Sequence, residues 1–151
     1  MSDTAPHLTT LPTSNAISIR EHVPMAALGD FFGRAFGALA ARAADKMAGP
    51  PFAIYHAIDA DDVDVEAAVP VRAQIDPVGS IHPITVEGGA AVEVRHTGPW
   101  NTVGEAYNAI AAWMQDHHYT RGAAPREIYL SDPSVPEKNR VTVILQPVTP
   151  S

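Results

Sequence analysis

Arg20, Pro24 and Gly29 return as Arg95, Pro99 and Gly104, each 75 residues further on. Pro51-Phe52-Ala53-Ile54-Tyr55 returns as Pro125-Arg126-Glu127-Ile128-Tyr129 at a shift of 74, and Val69-Pro70-Val71 as Gln146-Pro147-Val148 at 77. A near-constant shift whose small drift is absorbed in loops marks a duplicated structural unit. Each copy reads as strand, helix, strand, turn, strand. The chain is therefore expected to be α+β: two βαββ units with pseudo-twofold symmetry, sharing an antiparallel sheet packed with two long helices. The half-repeats are expected at about 16–75 and 90–148, within a single domain over 16–151. Residues 1–15, polar and without period at first, read as a flexible tail.

Within each copy the apolar spacing places the elements. A first helix is expected from Ala26 to Lys46, with a ridge of Leu28, Phe32, Phe36, Leu39 and Ala43, ended by Gly49-Pro50-Pro51. Gly29, Gly33 and Gly37 line one face of it, and each costs a helix roughly 1 kcal/mol relative to alanine. Tight packing is the plain explanation of this stripe, with a close backbone or a ligand as the alternative. Asp30 and Arg34 between the glycines exclude a membrane dimer motif. The second helix opens on Thr102-Val103-Gly104-Glu105, a capping-box pattern. Its expected ridge is Val103, Tyr107, Ile110, Met114 and His117, with Trp113 about one step off. Strands are expected at 16–20, 52–57, 63–69, 91–95, 126–130 and 141–145, and a short one at 84–86 inside a Pro/Gly linker. Along 63–69 the valines and Ala67 should face the core, and Asp64, Glu66 and Ala68 the other side.

Several function classes fall away on composition. With 10 Lys+Arg against 17 Asp+Glu the net charge is −7, which repels nucleic-acid phosphate, and no basic stripe argues for direct binding. The chain has no cysteine. Its seven histidines lack ligand spacing, so no metal or cofactor is expected. Five acids between Asp59 and Glu66 suggest a calcium loop, but Asp64 stands where that loop needs glycine, so a solvated hairpin turn fits better. Neither an apolar run long enough to cross a membrane nor a basic, then apolar, N-terminus is present, which points to a cytoplasmic protein.

The copies differ chemically. Glu127 stands where the first copy has Ala53, and Trp100 where it has Met25. Glu127 and Tyr129 share a strand face, leaving Ile128 and Leu130 for the face against the helices. A carboxylate in such an apolar, aromatic strand has two readings. It is a structural acid paired with Arg126, Arg95 or a helix-end amide, or it floors a pocket, where a partly desolvated charge seeks a cation among aromatic faces. Glycine-serine elbows, zinc-protease helices and phosphate-cradling loops are absent from the sequence.

His96-Thr97-Gly98-Pro99-Trp100, Gly104-Glu105-Ala106-Tyr107, Arg126-Glu127-Ile128-Tyr129-Leu130-Ser131-Asp132-Pro133 and the final Pro147-Val148 resemble the GyrI-like family. This is the effector-binding domain found at the C-terminus of BmrR-type and some AraC-type regulators. Tyr55-His56 and Val63-Asp64-Val65-Glu66-Ala67-Ala68-Val69-Pro70 extend the likeness into the first copy. The resemblance implies a hydrophobic pocket between two pseudo-symmetric units, binding aromatic and often cationic compounds over an acid. Glu127 stands at the acid's position, and Trp100 where many relatives carry a tyrosine. The ligand-lining residues expected are Glu127, Trp100, Tyr129, Tyr55, Tyr107 and Trp113. A stand-alone small-molecule binder is the first reading. A hydrolase of strained cyclopropanoid compounds, with Glu127 as its acid, and a module that inhibits a protein partner are the alternatives. Oligomeric state and ligand identity stay open.

Overall fold

The computed structural model describes residues 5–132 and 134–151; the first four residues of the expected tail, and Pro133, where the Ser131-Asp132-Pro133 sequence leads one to expect a turn, lie outside the described residues. Its strands are β1 (His7–Leu11), β2 (Ser14–Pro24), β3 (Phe52–Ile58), β4 (Asp62–Pro70) and β5 (His82–Val86). They continue with β6 (Gly89–Thr97), β7 (Tyr119–Arg121), β8 (Arg126–Tyr129) and β9 (Val141–Pro150). The two helices are α1 (Leu28–Ala43) and α2 (Gly104–His117). The chain divides into a first unit, Pro12–Gly88, and a second, in which residues up to Leu11 join Gly89–Ser151.

Both units are built to one plan, and every strand pairing described is antiparallel. In the first unit β5 pairs with β2, β2 with β4, and β4 with β3. In the second β1 pairs with β6, β6 with β9, and β9 with β8, while the short β7 adds to the far end of β9. The repeat thus runs β2-α1-β3-β4 and β6-α2-β8-β9. The proline of each copy takes nearly the same conformation, φ −60° and ψ 143° at Pro24 and φ −60° and ψ 146° at Pro99. After each, the chain makes a single 3₁₀ turn, Met25–Ala27 or Trp100–Thr102, before its α-helix. The fixed proline φ that suits it to a helix start makes this entry repeatable.

In the first unit α1 packs on β2 and β4. Its buried ridge is Phe31, Ala35, Leu39 and Ala43. The expected ridge was therefore partly displaced: Phe32 and Phe36 flank the core half-buried, stacked on each other at 5.2 Å. Arg34 pairs with Glu21 through two bonds, of 3.0 and 3.3 Å, between the helix and the face of β2 that also carries Ile19 and Val23. The glycine stripe needs a larger correction. Gly29, Gly33 and Gly37 are exposed, and a Cβ added at any of them meets nothing within 4 Å, so neither tight packing nor a close backbone explains them. Alanine at Gly33 and Gly37 is expected to add about 0.5–1 kcal/mol each, since only helix propensity and unfolded-chain entropy change. Thermal unfolding of the double variant should show a rise of a few degrees. A fall would mean that something covers this face.

In the second unit Ala106, Ile110 and Met114 of α2 are buried against Val92, Val94, Ile144 and Val148, with Val103, Tyr107 and Trp113 packed around them. His117, expected on the ridge, is exposed and stacks on Trp113 at 4.1 Å. The capping box does not form, because the chain enters α2 through the 3₁₀ turn with no side-chain cap on the helix. Residues 7–11, expected in the tail, form β1, with Leu8 opposite Val92 and Thr9 opposite Ala91. The short strand expected inside the 76–89 linker is β5, and the acidic stretch is the β3–β4 hairpin, closed by Asp59 N–H on the Asp62 carbonyl at 2.8 Å. Among the described residues no helix is long and apolar enough to cross a membrane.

Candidate functional site

The site of the second unit starts at the turn between β6 and α2. Gly98 sits at φ 141°, which strains any side chain, and its N–H donates to the Arg140 carbonyl at 2.8 Å. Thr102, released from the expected capping role, donates its hydroxyl to the Pro99 carbonyl at 2.8 Å. The buried His96 ring staples the same turn, with Nε2 at 3.0 Å from Thr102 Oγ1 and 3.2 Å from the Pro99 oxygen. These bonds hold the first residue of the 3₁₀ turn, Trp100, with 41% of its surface exposed.

Strand register decides which face Glu127 lines. Glu127 is opposite Ile144 and Tyr129 opposite Thr142, and cross-strand partners share a face. Ile144 packs with α2, so Glu127 and Tyr129 lie on the helix face. The expectation for Ile128 is thereby reversed: it pairs with Val143 and points away from α2. Arg126 and Arg95, paired with Leu145 and Val143, also project from that opposite face. Strand alternation thus puts both arginines on the face opposite to Glu127.

Glu127 is 7% exposed. Tyr107 of α2 donates its hydroxyl to Oε2 at 2.7 Å, and Tyr129 donates to Oε1 at 3.0 Å. Two phenols thus replace part of the lost hydration of a buried carboxylate, and charge-assisted bonds of this kind are the stronger ones. Trp100 meets the Tyr129 ring edge-on, at 5.9 Å and 66°. The Arg140 guanidinium carbon lies over the indole at 4.5 Å. Arg140 is steered by its own loop, its Nε donating to the Val135 carbonyl at 3.0 Å. Asp132 shapes that loop by accepting from the Ser134 amide at 2.9 Å, a bond that holds its carboxyl below the usual carboxylate range. Cross-strand from both His96 and Tyr129, the buried Thr142 Oγ1 has no hydrogen-bond partner among the described residues.

Within the second unit four of the six expected ligand-lining residues converge here: Glu127, Tyr129, Tyr107 and Trp100. Trp113 belongs to a separate stack with His117 and Tyr119, further along α2. Tyr55 lies in the first unit, half-buried and opposite Val65. An open cleft of about 330 Å³ at the C-terminal end of α1 is lined by Arg42, Lys46, Asp45, Asp76 and neighbours. It contains none of the six, and with no aromatic ring it offers no seat for stacking.

The first unit holds a second buried acid that pattern reading assigned to the solvent side. Glu66 is 9% exposed, accepting from Ser18 Oγ at 2.6 Å and from His56 Nε2 at 2.8 Å. His56 reaches it from a bulge between Tyr55 and Ala57, where β3 carries one residue more than β4. Alongside, Arg20 binds Asp64 with two bonds, of 3.0 and 2.8 Å, and holds its carboxyl below the usual range. Among the described residues no group of three or more potential metal-ligating side chains is assembled.

The fold is similar to that of several solved structures. The C-terminal domain of EcmrR matches 97% of this chain and 98% of its own, with a TM-score of 0.86 and 22% identity. In a complex of EcmrR with DNA the match covers all of this chain but 59% of that one, at a TM-score of 0.83 and 24% identity. The chain thus spans less than two thirds of that EcmrR chain. SAV2435, in a structure bound to tetraphenylphosphonium, matches 97% of this chain and 94% of its own, with a TM-score of 0.69 and 14% identity. A hydrolase from Listeria innocua matches 99% and 94%, with a TM-score of 0.73 and 14% identity. Comparison with curated protein sequences gave no match. The model of one family covers residues 4–149, nearly the whole chain, and the duplicated βαββ plan agrees with it. This chain belongs to the family of GyrI-like small molecule binding domains.

Proposed function

We propose that the second unit binds amphipathic aromatic molecules, cations among them, with Glu127 as the acid of the site and Trp100, Tyr129 and Tyr107 as its aromatic wall. One observation carries this reading: a buried carboxylate held by two phenolic hydroxyls, beside an indole left two-fifths exposed. A charge with little water around it attracts a cation strongly, and aromatic faces add attraction of their own. That SAV2435 was captured with tetraphenylphosphonium makes this cation the natural first probe.

A hydrolase is the second reading. It is favoured by Glu127 lying within hydrogen-bond reach of two phenols, an arrangement able to pass a proton to or from a bound molecule. Thermal unfolding with and without tetraphenylphosphonium and neutral aromatic compounds, followed by mass spectrometry of the ligands, separates the two. A binding module is expected to melt several degrees higher with ligand at a hundredfold excess over Kd, and to return the ligand unchanged. Conversion of an activated substrate that requires Glu127 would establish the hydrolase. The absence of both a shift and any conversion would defeat both.

A further inference from the structure

Trp100 already has a cation on it. The Arg140 guanidinium lies 4.5 Å from the indole centroid, within the range of attraction between a cation and an aromatic ring. An aromatic neighbour of the indole, Tyr129, meets it edge-on. Arg140 is not placed there by chance rotation of a long side chain. Its Nε is bound to the Val135 carbonyl, its N–H to the Glu137 carbonyl at 3.2 Å, and its own carbonyl accepts from Gly98, two residues before Trp100. Loop and turn are therefore tied together through one residue, whose charged end covers the indole.

We propose that Arg140 is the specificity-determining residue of this site, a built-in cation that occupies the stacking face of Trp100. This rests on the reading of the Glu127 site as a binding site. A permanently cationic aromatic ligand must move Arg140 aside to reach that face, and meets its charge while doing so. A ligand that brings a planar ring with an anionic group is instead attracted by the guanidinium charge. The native protein therefore discriminates against cations more than a carboxylate among aromatic rings would by itself, and accepts aromatic anions that Glu127 alone would repel. Met25, which opens the corresponding turn of the first unit, offers no aromatic face for a cation, so the device belongs to the second copy alone.

The test uses the full chain carrying Trp113→Phe, so that Trp100 is the remaining indole, with and without Arg140→Gln or Arg140→Lys. Two measurements are needed. Quenching of Trp100 fluorescence by iodide relative to caesium reports the local charge without any ligand. Titration with tetraphenylphosphonium and with 8-anilinonaphthalene-1-sulfonate reports specificity. Arg140→Gln is expected to lower the iodide-to-caesium quenching ratio at least twofold. It should tighten tetraphenylphosphonium binding roughly three- to tenfold and weaken that of the sulfonate, while Arg140→Lys, which keeps the charge but loses the Nε bond to Val135, should hold the quenching ratio near the parent. An unchanged quenching ratio, or a cation affinity that falls in a folded Arg140→Gln protein, overturns the role of Arg140 and leaves the binding reading standing. If the parent and both variants bind neither probe, the binding reading itself fails and the specificity role with it.

Discussion

Replacing Glu66 by alanine is expected to cost about 3 kcal/mol of stability, for an unsatisfied buried hydroxyl and a small cavity together. The carboxylate is almost fully enclosed and makes two bonds, to Ser18 and to His56. Its removal leaves the buried Ser18 hydroxyl without its acceptor and opens a small cavity between β2, β3 and β4. The His56 ring is less affected, since about a quarter of its side chain reaches solvent and can be hydrated there. For a chain of this size the loss corresponds to a fall in Tm of about 6–12 °C. Glu66→Gln should cost less, about 1–2 kcal/mol, because one oxygen still accepts and the Ser18 hydroxyl can turn to accept from the new amide. Chemical denaturation of the two variants measures both. If Glu66→Ala melts within a degree of the parent, the carboxylate holds nothing together, and the geometry around it is incidental to the fold.

That network was poorly legible in the sequence, for a definable reason. Alternation along β4 correctly separates Val63, Val65 and Ala67 from Asp64, Glu66 and Ala68, because side chains on a strand alternate. It does not say whether the second face is wet along its whole length. Asp64 lies toward the open end, paired with the half-exposed Arg20, whereas Glu66 and Ala68 are buried. The partners of Glu66 are 48 and 10 residues away in sequence, and one of them reaches it through a bulge, which no local period announces. The duplication was legible because it depends on spacing, and spacing survives where residue types do not. The same holds for the turn at Pro99: its proline repeats the conformation of Pro24 and leads into the same single 3₁₀ turn, while its function as a holder of Trp100 depends on His96 and Thr102. The helix ridges were read correctly at Leu39, Ala43, Ile110 and Met114 but misread at Phe32, Phe36 and Tyr107, because phenylalanine and tyrosine reach far from the axis. A small residue such as Ala35 or Ala106 in fact marks the line of closest packing. Of the Glu127 site the acid and its strand neighbour were visible. Arg140 was not, since a loop residue finds its partner only through the folded path between β8 and β9.

Glu127→Gln is expected to act mainly on ligands. The substitution keeps the shape and removes the charge. One amide oxygen still accepts from a tyrosine, and the second phenol can turn its oxygen toward the new N–H₂, so both contacts survive in weaker form. The stability cost should be about 1 kcal/mol, the difference between a charged and a neutral hydrogen bond in a site that stays filled. Tetraphenylphosphonium, in contrast, loses its counter-charge where little water screens it. A loss of about 1–3 kcal/mol is expected, or roughly a five- to 150-fold rise in Kd. Tetraphenylmethane-like neutral compounds of the same shape should change little, because their binding draws on Trp100, Tyr129 and apolar burial. Calorimetric titration of cationic and neutral ligands, beside a melting curve for each protein, reads both quantities at once. A marked fall in Tm with unchanged preference between cation and neutral ligand would make Glu127 a structural acid, and the site would then have to owe its selectivity to the aromatic wall and Arg140 alone.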